Sequence, residues 1–178
     1  MPKKVLVAAL FVSLLIALPG VAHAGVWDPP TTGGPFDIRW VEAVPTKHDR
    51  IKLTIGFWPG FRFGALPKGA AYDLRHHVFV EVQGAPDGDF TNGSYYHAGF
   101  LYRRDGRIWL RNGEFGSSPC CWTTPVTRLH PSTVRVRFIP WWVRWEEADN
   151  LIPIRYRLKT RSCVQDDCVR DHTRWGYA

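Results

Sequence analysis

Motifs that would assign a chemical reaction are missing from this chain. No G-x-S-x-G nucleophile elbow, no H-E-x-x-H zinc motif and no glycine-rich phosphate-binding loop occurs in its 178 residues. There is also no internal repeat, no low-complexity tail and no convincing helical stretch. These absences argue against the enzyme classes that depend on such motifs, so a non-catalytic protein is the favoured interpretation.

The chain opens with the features of a secretory signal peptide. Lys3 and Lys4 precede an apolar run over residues 5–17, and the small residues Ala22 and Ala24 follow it. This order predicts cleavage after Ala24. The apolar core is shorter than the ~20 residues that cross a bilayer, and no cysteine follows it closely enough to carry a lipid. We therefore expect a secreted, extracellular protein with no membrane span in its mature part.

Basic residues outnumber acidic ones in the part of the chain that remains. Without the two lysines of the signal peptide, 21 basic side chains stand against 16 acidic ones, a net charge of +5. That excess is smaller than a dedicated nucleic-acid-binding protein usually carries, so no specific nucleic-acid partner is expected. Nine tryptophans suit either a β-sheet core or a surface that stacks on sugars.

Four cysteines, at positions 120, 121, 163 and 168, predict disulfides in an exported chain. Three connectivities are open, and the short loop favours a local bridge between Cys163 and Cys168. The state of Cys120 and Cys121 stays open, since these neighbours could bridge each other or pair with the later two. A zinc site is the alternative, although the C-x2-C pairs typical of one are missing.

Short alternating runs separated by turn residues predict strands along most of the chain. Residues 50–58 give the clearest run, and Asp105-Gly106 is a favoured tip for a hairpin between residues 94–102 and 107–112. The other predicted strands cover residues 37–44, 76–83, 132–139, 153–160 and 168–175. Seven to nine such strands predict an all-β fold, a single antiparallel β-sandwich of Ig-like or jelly-roll-like type. The domains expected are the signal peptide at residues 1–24, an irregular entry arm at 25–35 and the sandwich at 36–178.

The order of three short motifs resembles a known group of proteins. D-I-R at residues 37–39 is followed by D-R-I-K-L-T at residues 49–54, and Cys163, Cys168 and Asp171 come near the end. Behind an export signal and a Gly/Pro-rich arm, this order resembles the uncharacterised secreted β-sandwich proteins common in GC-rich Gram-positive bacteria. The resemblance implies a fold and a compartment, and it implies no activity.

Several polar side chains invite a chemical interpretation that their spacing does not support. His76 and His77 point to opposite faces of a strand, so they cannot bind one metal from one side. The loop with Asp87 and Asp89 lacks the acidic positions of an EF-hand and is interpreted as a turn. The acidic run at residues 146–149 is too local to place two carboxylates across a glycosidic bond. We therefore assign no catalytic residue, no metal site and no cofactor.

The outward positions of the predicted strands carry the most informative pattern. They collect basic residues and one tryptophan, which we take as a candidate binding face: Arg107, Trp109, Arg111, Arg135, Arg137, Arg155, Arg157 and Lys159. If these strands share a sheet, the face would attract anionic polymers of the cell envelope. The alternative is that the cations only solvate the sheet and protect its edges.

Three further tryptophans, Trp141, Trp142 and Trp145, form a candidate aromatic patch. They could stack on glycans or fill the end of the domain, and burial of at least two is the favoured interpretation. The function expected is that of a secreted non-catalytic domain that associates with anionic cell-envelope polymers or glycans. The alternative is a secreted enzyme acting on polysaccharide, with a site built from loops. The sequence does not indicate the oligomeric state.

Overall fold

The computed structural model describes the following residues: 25–31, 34–46, 50–69, 73, 75–91, 95–113, 122–140 and 152–178. The predicted signal peptide, Cys120, Cys121, the acidic run at residues 146–149 and the aromatic patch lie outside these residues. Within these ranges, no helix is both long and apolar enough to cross a membrane.

β-Strands account for nearly all the regular structure of the described residues, with one 3-10 turn at Phe63–Ala65. The strands are β1 Val26–Trp27, β2 Ile38–Thr46, β3 Arg50–Phe57, β4 His76–Gly84, β5 Tyr95–Arg104, β6 Arg107–Gly113, β7 Trp122–His130, β8 Thr133–Phe138, β9 Ile154–Val164, β10 Asp167–His172 and β11 Gly176–Tyr177. They pair in the order β1-β2-β3-β8-β7-β6-β5-β4-β9-β10, with β11 also on β9, and the ladders between them are antiparallel.

The predicted all-β class is confirmed, but the two-sheet sandwich is not. The described strands form one continuous sheet that curls into a half-barrel. A sandwich and a curled sheet need the same alternation of apolar and polar residues along each strand. The sequence pattern therefore identified the strands without showing how they are arranged.

The core lies on the concave side of this sheet. Alternate residues of the long strands point inward, as in β3, where Ile51, Leu53 and Ile55 are almost completely buried. The same phase continues on the neighbouring strands, whose buried apolar residues include Val78, Val80, Val82, Leu101, Ile108, Leu110, Val134, Val136, Phe138, Ile154, Tyr156 and Leu158. The apolar side chains of the different strands thus pack against one another on the concave side of the sheet.

Local turn chemistry gave the most accurate sequence prediction. β5 and β6 form the expected hairpin, and both tip residues have positive φ, 51° at Asp105 and 71° at Gly106. These angles fit the I′ turn that such dipeptides favour. The local disulfide prediction is also confirmed, because Cys163 and Cys168 lie directly opposite each other on β9 and β10 and are bonded.

Three parts of the chain differ from the sequence prediction. β7 was missed because Pro125 lies in its middle and only Val126 among its nine residues is buried, so it lacks the alternating pattern. The run predicted at residues 168–175 ends as a strand at His172, and β11 then pairs separately with β9. The entry arm is also partly ordered, since Val26 and Trp27 pair with β2.

Side chains and one close packing contact draw the two ends of the sheet together. Asp171 on β10 accepts hydrogen bonds from the backbone N–H of Ile38 on β2 (2.9 Å) and from the hydroxyl of Thr31 (3.2 Å). Gly176 on β11 packs so tightly that a Cβ atom there would lie 2.5 Å from Cγ2 of Val26 and 2.6 Å from Cζ of Tyr156. Only glycine fits there, and these contacts form a seam between β1–β2 and β9–β11.

A second carboxyl group makes this seam sensitive to pH. The Asp28 side chain is hydrogen-bonded to Asp171, and the buried Asp37 lies nearby. Burial, followed by the negative charges of Asp171 and Asp37, raises the pKa of Asp28 from 3.8 to about 7. Two carboxyl groups in contact are stable when they share a proton, so the folded chain retains a proton here that the unfolded chain would release.

A buried histidine gives the opposite dependence on pH. His97 on β5 points into the core and stacks on Phe138 with ring centroids 5.0 Å apart. Burial lowers the pKa of His97 to about 3. Its contribution to stability is therefore complete above its unfolded pKa of 6.5 and is lost as the pH falls toward 3, whereas that of Asp28 is complete below about pH 4 and is lost as the pH rises toward 7.

Replacing Asp28 separates these two effects. Between about pH 4 and pH 7, the free energy of unfolding of Asp28→Asn should fall less with rising pH than that of the parent protein, by roughly 1 kcal/mol per pH unit. Urea denaturation across this range measures the difference. Asp89→Asn, in an exposed turn, is the matched control and should follow the parent protein. If the free energies of unfolding of Asp28→Asn and of the parent protein change equally with pH, the folded protein does not retain a proton at Asp28.

Candidate functional site

The sheet places all eight residues of the candidate binding face on its outer side. On β6, β8 and β9 they alternate with core residues such as Leu110, Val136 and Leu158. They form two groups, which we name by position. The first basic tract is Arg107, Trp109 and Arg111 on β6 with Arg135 and Arg137 on β8; the second basic tract is Arg155, Arg157 and Lys159 on β9. β5 and β4 separate the two tracts.

The first basic tract lies on either side of β7. The strands β6, β7 and β8 contain no Asp or Glu, and the outward residues of β7 between the arginines are neutral, including Thr123, Pro125 and Thr127. Two strand spacings put β6 and β8 about 10 Å apart. That distance is close to the screening length of ~10 Å at 0.1 M salt, so the fields of the arginines reinforce one another.

A shallow groove of about 360 Å³ runs along the outer side of β7 and β8. Arg135 and Arg137 line it together with the apolar side chains of Pro125 and Leu129. At the far side of the tract, Trp109 is half-buried: the Arg104 guanidinium lies 5.6 Å from its ring centroid, and its indole N–H donates to the Arg104 carbonyl (3.4 Å). Trp109 is therefore partly covered by its own chain.

An acidic residue on the neighbouring strand pairs with the second basic tract, and the pattern within each single strand did not predict this pairing. Glu81 on β4 lies directly opposite Arg157 and forms ion pairs with Arg157 and with Lys159 (Nζ–Oε1, 2.9 Å). The hydroxyl of Tyr96 donates to the same carboxylate at 2.7 Å. Burial alone would raise the pKa of Glu81, but the hydrogen bonds from Arg157, Tyr96 and Lys159 outweigh it and hold the pKa below its ordinary value.

Aromatic rings hold the other end of this tract in place. The guanidinium groups of Arg155 and Arg157 lie 4.6 and 4.3 Å from the ring centroid of Trp175, within cation–π range. Arg155 also donates to the side chain of Gln83 and to the carbonyl of Phe90 (3.2 Å). The outward phase of Glu81 was visible in the sequence, but its partners depend on β4 pairing with β9, which no local pattern shows.

The remaining polar candidates have local structural roles. His76 contacts the hydroxyl of Ser162, and His77 Nδ1 lies 3.1 Å from the carbonyl of Asp73. Asp89 closes a turn by accepting hydrogen bonds from the N–H and hydroxyl of Thr91, as the turn interpretation predicted. Across the described ranges, no cluster of three His, Cys, Asp or Glu side chains has a geometry that could hold a metal ion.

Comparison with known proteins gives no relative. The chain matches no protein-family model, no curated protein and no solved structure. The resemblance drawn from the short motifs therefore stays a prediction, and the function has to be argued from the geometry of the chain itself.

The Glu81 cluster predicts a specific effect on stability. In Glu81→Gln, Arg157 and Lys159 lose their shared counter-ion, so the free energy of unfolding should fall by about 1–3 kcal/mol. Urea denaturation at neutral pH measures this loss. Glu42→Gln, which replaces a half-buried carboxylate on the outer side of β2, is the matched control and should change stability by less than half as much. Equal losses in the two variants would mean that the cluster has no special role.

Proposed function

We propose that this chain is a secreted, non-catalytic β-domain that associates with an anionic polymer of the cell envelope through its outer basic face. The observation that supports the proposal best is the common orientation of the two basic tracts on one continuous sheet. A curved polyanion lying across the strands could contact both tracts, because they lie on the same surface about three strand spacings, or roughly 15 Å, apart.

The first basic tract is the principal contact in this proposal. Its four arginines have no acid on their own strands or between them, and Lys52 on β3 lies directly opposite Arg137. Like charges placed across a sheet destabilise it. A bound polyanion would remove that repulsion, and guanidinium groups match the geometry of phosphate and carboxylate groups.

The second basic tract contributes a rigid surface with a smaller net charge. Glu81 compensates one of its three cations, and Trp175 fixes two of its arginines. Side chains that are already ordered lose little further entropy when a ligand binds. This tract would therefore contribute more to orienting the polymer than to attracting it electrostatically.

The alternative proposal, an enzyme that acts on polysaccharide, needs two carboxylates facing each other across a bond. The groove of about 530 Å³ beside β9 and β10 is lined by one carboxylate, Asp171, and the seam occupies both of its oxygens. Nothing in the described geometry supports this alternative over binding.

Charge reversal in the first basic tract tests the proposal. Arg135→Glu combined with Arg137→Glu should elute from a column of immobilised anionic wall polymer or heparin at clearly lower salt than the parent protein, because both residues line the outer groove. Arg62→Glu combined with Arg174→Glu changes the net charge equally at exposed positions outside the two tracts and is the matched control.

The control variant should elute close to the parent protein. An equal shift in both variants would mean that retention reflects net charge alone, and an unchanged elution of the tract variant would remove the first basic tract from the proposal. Thermal unfolding of each variant verifies that a shift does not come from loss of the fold.

A further inference from the structure

A groove of about 530 Å³ lies on the outer side of β4, β9 and β10 and overlaps the second basic tract, since Arg157 and Lys159 both line it. Its lining is rich in basic and imidazole groups and includes His77, Lys159, Arg161, Arg170, Asp171 and His172. The residues His77, Arg161, Arg170 and His172 were not part of the candidate face predicted from the sequence, because their strands become neighbours only in the folded sheet.

Three of these side chains form one row across three strands. His77 on β4 lies opposite Arg161 on β9, and Arg161 lies opposite Arg170 on β10. Arg161 and Arg170 are directly opposed like charges, which are unfavourable in a sheet, so this pair lowers stability unless an anion lies against it. In the next row, Lys159 of the second basic tract lies opposite His172.

The charges of Arg161 and Arg170 are not compensated within the described part of the chain. Glu81 pairs with Arg157 and Lys159, and no described carboxylate lies within ion-pair distance of Arg161 or Arg170. Asp171 lines the groove, but its oxygens accept hydrogen bonds from the seam.

Arg161 is held in a fixed position at the wall of the groove. Its Nη2 donates to Sγ of Cys168 at 3.3 Å, next to the disulfide that joins β9 and β10. Its Nε is buried, and among the described residues no acceptor lies within hydrogen-bond distance of it. A buried guanidinium donor that lacks an acceptor is costly, and an anion in the groove would offset this cost through its attraction to the charge of the guanidinium group.

His77 reports directly on the positive potential of this groove. Its Nδ1 donates to the carbonyl of Asp73, so a second proton would be taken up at Nε2. Burial lowers the pKa of His77 below its ordinary value, and the charges of Arg161 and Arg170 lower it further, against the carbonyl and carboxylate of Asp73, which raise it.

We propose that the groove between β4, β9 and β10 binds a phosphate group, held by Arg161 and Arg170 with Lys159 at its edge. A phosphate carries about −1.5 to −2 charges at neutral pH and three acceptor oxygens, whereas a carboxylate carries one charge and two oxygens. The positive charge at this site is greater than one carboxylate could neutralise. The assignment rests on the proposed function in that the phosphate would belong to the repeating unit of the envelope polymer.

The test follows the imidazole signals of His77 by NMR while inorganic phosphate is added, against chloride and against acetate at matched ionic strength. Saturating phosphate should raise the pKa of His77 by about one unit, because a negative charge near the ring favours its protonated form. Acetate should give less than half of that shift. Arg170→Gln, at an exposed lining residue, should weaken phosphate binding about tenfold, whereas Arg174→Gln, exposed and outside the groove, should not.

Equal effects of phosphate and acetate, or equal losses in Arg170→Gln and Arg174→Gln, would overturn the phosphate site. The column experiment on the first basic tract is independent of this one. If only phosphate binding is absent, the proposed polymer association through β6 and β8 is unaffected. If the column experiment shows no effect of the tract variant while phosphate still binds, the groove is a small-anion site and the polymer function is wrong.

Discussion

The sheet buries its apolar face against itself, because the contacts of Asp171, Gly176 and Tyr156 draw its first and last strands together. The shared concave core and the convex outer surface both depend on this seam. With the ends drawn together, the inward residues of β2 to β9 share one concavity. The residues that alternate with them point away from the core and share one convex surface. Because side chains alternate between the two faces of a strand, the basic residues at these positions lie together on that surface.

The electrostatics of the outer surface follow from which strands become neighbours. Where β4 lies beside β9, Glu81 meets Arg157 and Lys159 and reduces their net charge. Where β9 lies beside β10, Arg161 meets Arg170 and the positive charges add. The same strand, β9, therefore carries a compensated region and an uncompensated one, a few residues apart.

Local features of the chain could be predicted from the sequence. The phase of Ile51, Leu53 and Ile55, the I′ turn at Asp105-Gly106 and the short-loop disulfide at Cys163–Cys168 each depend on neighbours close in sequence, and each is confirmed. The outward orientation of the arginines followed from the same phase. The identity of the residues beside them did not, because pairing partners far apart in sequence leave no local signal.

The features that were not predicted from the sequence also depend on residues that are far apart in the chain. β7 has almost no buried face of its own and is a strand because β6 and β8 provide partners on both sides. The half-barrel differs from the expected sandwich in that its strands form one continuous sheet instead of two packed sheets. The row of His77, Arg161 and Arg170 joins positions up to 93 residues apart.

We propose that an anionic polymer contacts the outer face of the sheet. Titration of the 15N-labelled protein with a polyphosphate chain, followed by amide chemical shifts, tests it most directly. The largest changes should lie on β6, β8, β9 and β10, at residues that point outward, and they should diminish as salt is raised. Changes centred on other surfaces, or no changes at low salt, would contradict it.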